Sequence, residues 1–101
     1  QIIGDEMLSK NLDLLKKLDP QTWHEIDFAI DIADKTYLTD PHDQDNIQGC
    51  LQRAIDGRNW HAKLERDSYT KSWSAWVNWG NDFESDSPAA ALLAAYCEAI
   101  Q

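Results

Sequence analysis

The chain has 101 residues, 18 Asp and Glu against 9 Lys and Arg, a formal charge of −9, and 43% hydrophobic residues, five of them Trp. That length fits one modest core and excludes a catalytic domain joined to a separate regulatory one. The apolar content argues for a folded chain despite its acidity, because acidic segments that stay disordered lack the side chains to offset ordering entropy.

From Asp5 to Leu18, Leu8, Leu12, Leu15 and Leu18 recur at helical spacing and define one face. Asp19-Pro20 ends this segment and starts the next, since Asp19 can accept free N–H groups and Pro20 suits a first helical position. Trp23, Ile26, Ile30, Ala33 and Tyr37 then predict a second helix continuing to Tyr37. On that helix Asp27, Asp31 and Asp34 fall within an arc of roughly 60° and make a narrow acidic ridge. Phe28 and Ile32 widen its apolar arc, so the helix is expected to be central or partly covered. Thr39-Asp40-Pro41-His42-Asp43 repeats the start signal. A third helix follows with Ile47, Cys50, Leu51, Ala54 and Ile55 inward, and Gly57 is placed to close it in a left-handed cap.

After Gly57 the apolar period changes from about 3.6 to 2. Trp60, Ala62 and Leu64, then Trp73, Ala75, Val77 and Trp79, alternate with polar neighbours, which predicts two antiparallel strands joined by a six-residue loop over 66–71. The spacing of Trp73, Trp76 and Trp79 would also suit a helix; Gly80 and the aromatic and β-branched content favour strand, with Trp76 on the face opposite Trp73 and Trp79. Residues 80–86 read as a polar loop or a short strand extension. Ser87-Pro88 caps a final helix with Ala89, Leu92, Leu93, Tyr96 and Ile100 on its apolar face. A lone hairpin needs its apolar face covered, so the expected fold is α+β, a single domain of three N-terminal helices, an antiparallel hairpin or small sheet, and a C-terminal helix on that sheet.

The opening Tyr37-Leu38-Thr39-Asp40-Pro41, a helix, two Trp-bearing strands and the close Glu84-Ser85-Asp86-Ser87-Pro88-Ala89-Ala90-Ala91-Leu92-Leu93-Ala94-Ala95 resemble small phage and prophage accessory proteins of the NinX-like and phage ABA-sandwich type. The resemblance covers residues 37–100. It implies a phage or prophage origin and the cytoplasm of a bacterial host rather than a reaction, and the first two helices lie outside it.

Catalytic signatures are missing from the string. His24-Glu25-Ile26-Asp27 lacks the second His of a zinc-protease helix, and Asp40, His42, Asp43 and Asp45 lack the Gly and distal Glu of a calcium loop. There is no phosphate-binding glycine loop, nucleophile elbow or CxxC pair. The sequence therefore points to a protein that is not an enzyme and needs no cofactor or metal. Cys50 and Cys97 sit beside apolar helical positions and read as buried, reduced thiols. No apolar run approaches the roughly 20 residues of a membrane span, and the first ten residues lack the pattern of a secretory leader, so a soluble intracellular chain is expected.

Charge is unevenly placed. Residues 19–45 hold eight acids and one Lys, net −7, whereas residues 46–81 are net +2. A surface this acidic repels a polyphosphate, so direct nucleic-acid binding is disfavoured and a basic host protein is the better electrostatic match. Asp27, Asp31 and Asp34, helped by Asp40, Asp43 and Asp45, would imitate a row of phosphates on such a partner, against the plainer reading of a solvated face. The alternative is a structural accessory that assembles with itself, as in a homodimer, or with another phage component through exposed aromatics such as Trp76 and Tyr69.

Overall fold

The computed structural model describes residues 4–101, with side chains from Met7 onward. Four helices, α1 (Gly4–Leu18), α2 (Pro20–Ile30), α3 (Pro41–Gly57) and α4 (Pro88–Ala99), accompany three strands, β1 (Ala62–Arg66), β2 (Trp73–Val77) and β3 (Phe83–Ser85). The class is α+β, as expected from the sequence. All strands are antiparallel in the order β1-β2-β3, with Leu64 opposite Ala75 and Ala75 opposite Phe83. Residues 80–86 thus contribute a third strand, and β2 becomes the central one.

The helix starts follow local chemistry. Asp19, Asp40 and Ser87 accept from the backbone N–H groups of Thr22, His42 and Ala90, and each is followed by a proline whose missing N–H costs nothing at a first helical position. Helix α3 ends differently from expectation. No glycine has positive φ; Asn59 takes the left-handed turn at φ 59°, with Trp60 N–H bonded to Ile55 O and Asn59 N–H to Asp56 O. That bond pattern delays the left-handed residue by two positions past Gly57 and aims Trp60 back at the core.

Helix α4 is the centre of the molecule. It lies between β2 on one side and α1 and α3 on the other, while α2 packs outside against α1 and α3. Nine consecutive residues, Ala89–Cys97, are buried, so the single apolar face expected for this helix was too narrow. The reason is compositional: Ser87 to Cys97 carries no charge, and its alanines let neighbouring elements approach from every direction. Leu8, Leu12 and Leu15 of α1 and Ile47, Leu51 and Ile55 of α3 close around it.

The second helix is shorter than its apolar period predicts. It stops at Ile30, and two 3₁₀ turns, Ile32–Asp34 and Thr36–Leu38, carry the chain to α3. Asp27 causes the break: its carboxylate accepts the Ile32 N–H at 2.9 Å, so that group no longer seeks a helical carbonyl. Asp31 and Lys35 then adopt left-handed φ of 54° and 59°, which Asp tolerates better than most residues. Tyr37 still reaches the core, 2% exposed, delivered by a turn instead of a helix.

Candidate functional site

The early end of α2 corrects the acidic ridge. Asp27 is on the helix, half-buried and engaged as a backbone acceptor, Asp31 is in the left-handed turn, and Asp34 lies in the first 3₁₀ turn. The three do not share a helical arc, and the regular phosphate-like spacing that an unbroken helix would give is not present. What the fold does assemble is a run of carboxylates over the turns and the start of α3. Asp31, Asp34, Asp40 and Asp45 are exposed and Asp43 is half-buried.

Three of the six carboxylates have structural work. Asp27 holds Ile32, Asp40 caps α3, and Asp43 accepts the Thr36 hydroxyl at 2.6 Å. Gln44 ties the same segment down, donating to Tyr37 O at 2.9 Å and accepting from the Ser87 hydroxyl at 3.0 Å. Asp31, Asp34 and Asp45 make no side-chain hydrogen bond among the described residues. The ion pairs there join Arg58 to Asp19 and Lys63 to Glu65, so none neutralises a carboxylate of residues 27–45. The acidic segment is a surface tied to the fold through Asp27, Asp43 and Gln44, and no ion pair cancels its carboxylates among the described residues. Asp40, His42, Asp43 and Asp45 are not gathered into a set of metal ligands.

The aromatic surface is also rearranged. Trp76 points away from α4, opposite Lys63, as the alternation predicts. Trp79, expected on the other face, instead stacks on Trp76 with ring centroids 4.6 Å apart, and the ring of His61, immediately before β1, lies 5.3 Å from that of Trp79. The strand stops at Val77. Asn78 and Trp79 both take positive φ, 55° and 62°, and Gly80 N–H bonds back to Val77 O at 3.1 Å, the pattern of a tight type I′ turn. A bulky residue at positive φ is strained by roughly 1–2 kcal/mol. The turn is anchored by Glu98 of α4, which accepts from the Asn81 backbone and side chain at 3.1 and 2.7 Å. Gly80 is closely approached here: a Cβ would lie 2.9 Å from Glu98 Oε2, which would have to shift, and 3.2 Å from Val77 O. Trp79 is left 70% exposed, and Tyr69, at the tip of the β1–β2 loop, 95% exposed. Replacing Trp79 by glycine removes the indole stack, worth about 0.5–1.5 kcal/mol, and relieves a comparable strain. Urea unfolding of Trp79→Gly is therefore expected to give a stability within about 1 kcal/mol of the parent.

A partly buried polar node, with Tyr96 and Thr22 buried, Asp19 half-buried and Arg58 exposed, joins elements far apart in sequence. The Tyr96 hydroxyl donates to Asp19 Oδ2 at 2.6 Å and accepts from Arg58 Nε at 3.1 Å. Thr22 donates its hydroxyl to the same carboxylate oxygen at 2.6 Å, and Arg58 lies 3.6 Å away while covering the Trp60 ring at 5.0 Å. Burial alone would raise the Asp19 pKa; hydrogen bonds from Thr22 and Tyr96 and the Arg58 charge outweigh it and hold the carboxyl below its ordinary range. Burial, with Asp19 accepting its proton, pushes the Tyr96 hydroxyl up. The Asp-Pro signal revealed the helix cap, but nothing local to Asp19 announced a partner at position 96.

Both cysteines are free and buried. Burial pushes the Cys97 thiol up to about 12, which leaves almost no thiolate at neutral pH. Cys50 is also raised by burial, partly offset by Arg53, whose guanidinium lies 3.3 Å from its sulfur. Among the described residues no helix is long and apolar enough to cross a membrane. Comparison with known protein families, with curated proteins and with solved structures finds no match.

Proposed function

We propose that this chain is a non-catalytic, phage- or prophage-encoded interaction protein that docks on a basic surface of a host protein and modulates or inhibits it. The observation carrying this reading is the concentration of net −7 in residues 19–45, with Asp31, Asp34 and Asp45 exposed and unneutralised by any ion pair among the described residues. Such a field steers a cationic partner and repels nucleic acid. Charge, rather than a regular carboxylate row, is the recognition element. The origin rests on the resemblance of residues 37–100 to phage accessory proteins. The test is capture from bacterial lysate at low and high salt, with mass spectrometry of what is retained. A basic protein retained only at low salt supports the reading; no difference between the two conditions opposes it.

A second reading, assembly through aromatic surface, is favoured by the Trp76–Trp79 stack, in which Trp79 is exposed while Trp76, expected to be exposed, is half-buried, and by Phe28, 96% exposed on α2. The protein partner would then be another copy or another phage component, and binding would survive high salt.

A further inference from the structure

Phe28 was expected on a partly covered face of the second helix, yet its ring stands almost wholly in solvent. The ring forms one wall of a shallow groove of about 710 Å³ between α2 and α3, whose other lining includes Ala29 and the buried Cys50, with His24, Glu25 and Arg53 at its exposed edges. One face thus carries a projecting aromatic ring and, against that ring, a depression of a volume that admits a second one. We propose that this α2–α3 face pairs with the same face of a second copy about a two-fold axis, each Phe28 ring seated in the groove of its partner.

Two features select a second copy over other occupants. The first is self-complementary shape: an isologous contact requires knob and hole on a single patch, and Phe28 and the groove share one. The second is charge. Glu25 and Arg53 give the patch one acid and one base, and neither enters an ion pair among the described residues. Across a two-fold axis Glu25 of one copy meets Arg53 of the other, so pairing here adds little of the repulsion that a chain of −9 would otherwise meet. A strongly basic partner finds its complement on residues 27–45 instead.

The face is small. Eleven residues of α2 and seventeen of α3 extend about 16 and 25 Å side by side. Two helices of that length offer a limited contact, so pairing is expected to be weak and reversible rather than obligate. This inference deepens the second reading by naming its surface and partner, and it rests on that reading.

Sedimentation equilibrium of the chain from about 5 to 500 µM tests it, since that range covers weak, reversible association. The expected result is a monomer–dimer equilibrium that Phe28→Ala weakens at least tenfold, as truncation of a central aromatic anchor does, and that Phe28→Asp abolishes. Because Phe28 makes little internal contact, both variants keep the parent Tm and circular dichroism. Arg53→Glu weakens pairing, and the double variant Glu25→Arg, Arg53→Glu restores it. A dimer indifferent to Phe28→Asp but lost in Trp79→Ala overturns the groove and leaves the aromatic-assembly reading standing. A chain monomeric throughout the range overturns both.

Discussion

Asp19→Ala is expected to destabilise the fold by about 3 kcal/mol, roughly 1 from the lost α2 cap and 1–3 from leaving the buried Tyr96 hydroxyl without its acceptor. The cost is large because Asp19 serves three elements at once. It caps α2, receives the Tyr96 hydroxyl from the central helix, and balances Arg58 at the end of α3. For a domain of this size that loss lowers Tm by roughly 12–20 °C in a thermal melt. Tyr96→Phe, which spares the cap and the Arg58 contact, should cost less. The pH dependence has a definite sign. Because the folded carboxyl is held below its ordinary range, its contribution is present above the unfolded value and is lost as pH falls through the folded one. The parent's advantage over Asp19→Ala should therefore hold at neutral pH and narrow in acid, and an advantage constant to pH 2 would show that the charged form of Asp19 is not what the node requires.

Leu93→Ala is expected to cost about 3–5 kcal/mol, the upper part of the range for core leucines. Leu93 is completely buried on α4, and α4 is held from both sides by β2 and by α1 and α3. Helix α4 cannot shift toward the space on one side without loosening its contacts on the other. A domain of this size has about 5–15 kcal/mol in total, so the variant should show a midpoint in urea far below the parent's with a similar slope. A loss under about 1 kcal/mol would mean that α4 is less central than its burial indicates.

The parts of this fold that could be read from the sequence are those decided within a few residues. Asp19-Pro20, Asp40-Pro41 and Ser87-Pro88 each marked a helix start because the cap and the proline act on adjacent backbone groups. The Ala62–Arg66 and Trp73–Val77 strands followed from alternation. The errors came where a side chain overruled periodicity. Asp27 takes the Ile32 N–H and ends α2 although Ala33 and Tyr37 continue its apolar stripe, and this dissolves the helical ridge on which the phosphate-row idea depended. Trp79 leaves the strand through a left-handed turn that Gly80 and Glu98 stabilise, a contact eighteen residues away that alternation cannot report. The acidity of residues 19–45 was legible as a count. Which of those carboxylates are free to act was not, because that depends on Ile32, Thr36 and His42 as hydrogen-bond partners.

That distinction supplies the sharpest probe of the docking reading. Asp31, Asp34 and Asp45 are exposed and hold no structural hydrogen bond among the described residues, and asparagine suits the left-handed φ at position 31. Replacing all three by Asn removes charge and little else. Asp13, Asp56 and Asp82 are likewise exposed, so changing them to Asn gives a control with the same net charge, −6 in place of −9. The decisive measurement is the affinity of parent and both triple variants for the captured basic partner at low salt. The expected result is at least about a tenfold loss for Asp31→Asn, Asp34→Asn, Asp45→Asn and less than about a threefold loss for the control. Equal losses in the two variants, or none in either, would contradict a docking surface located on residues 27–45.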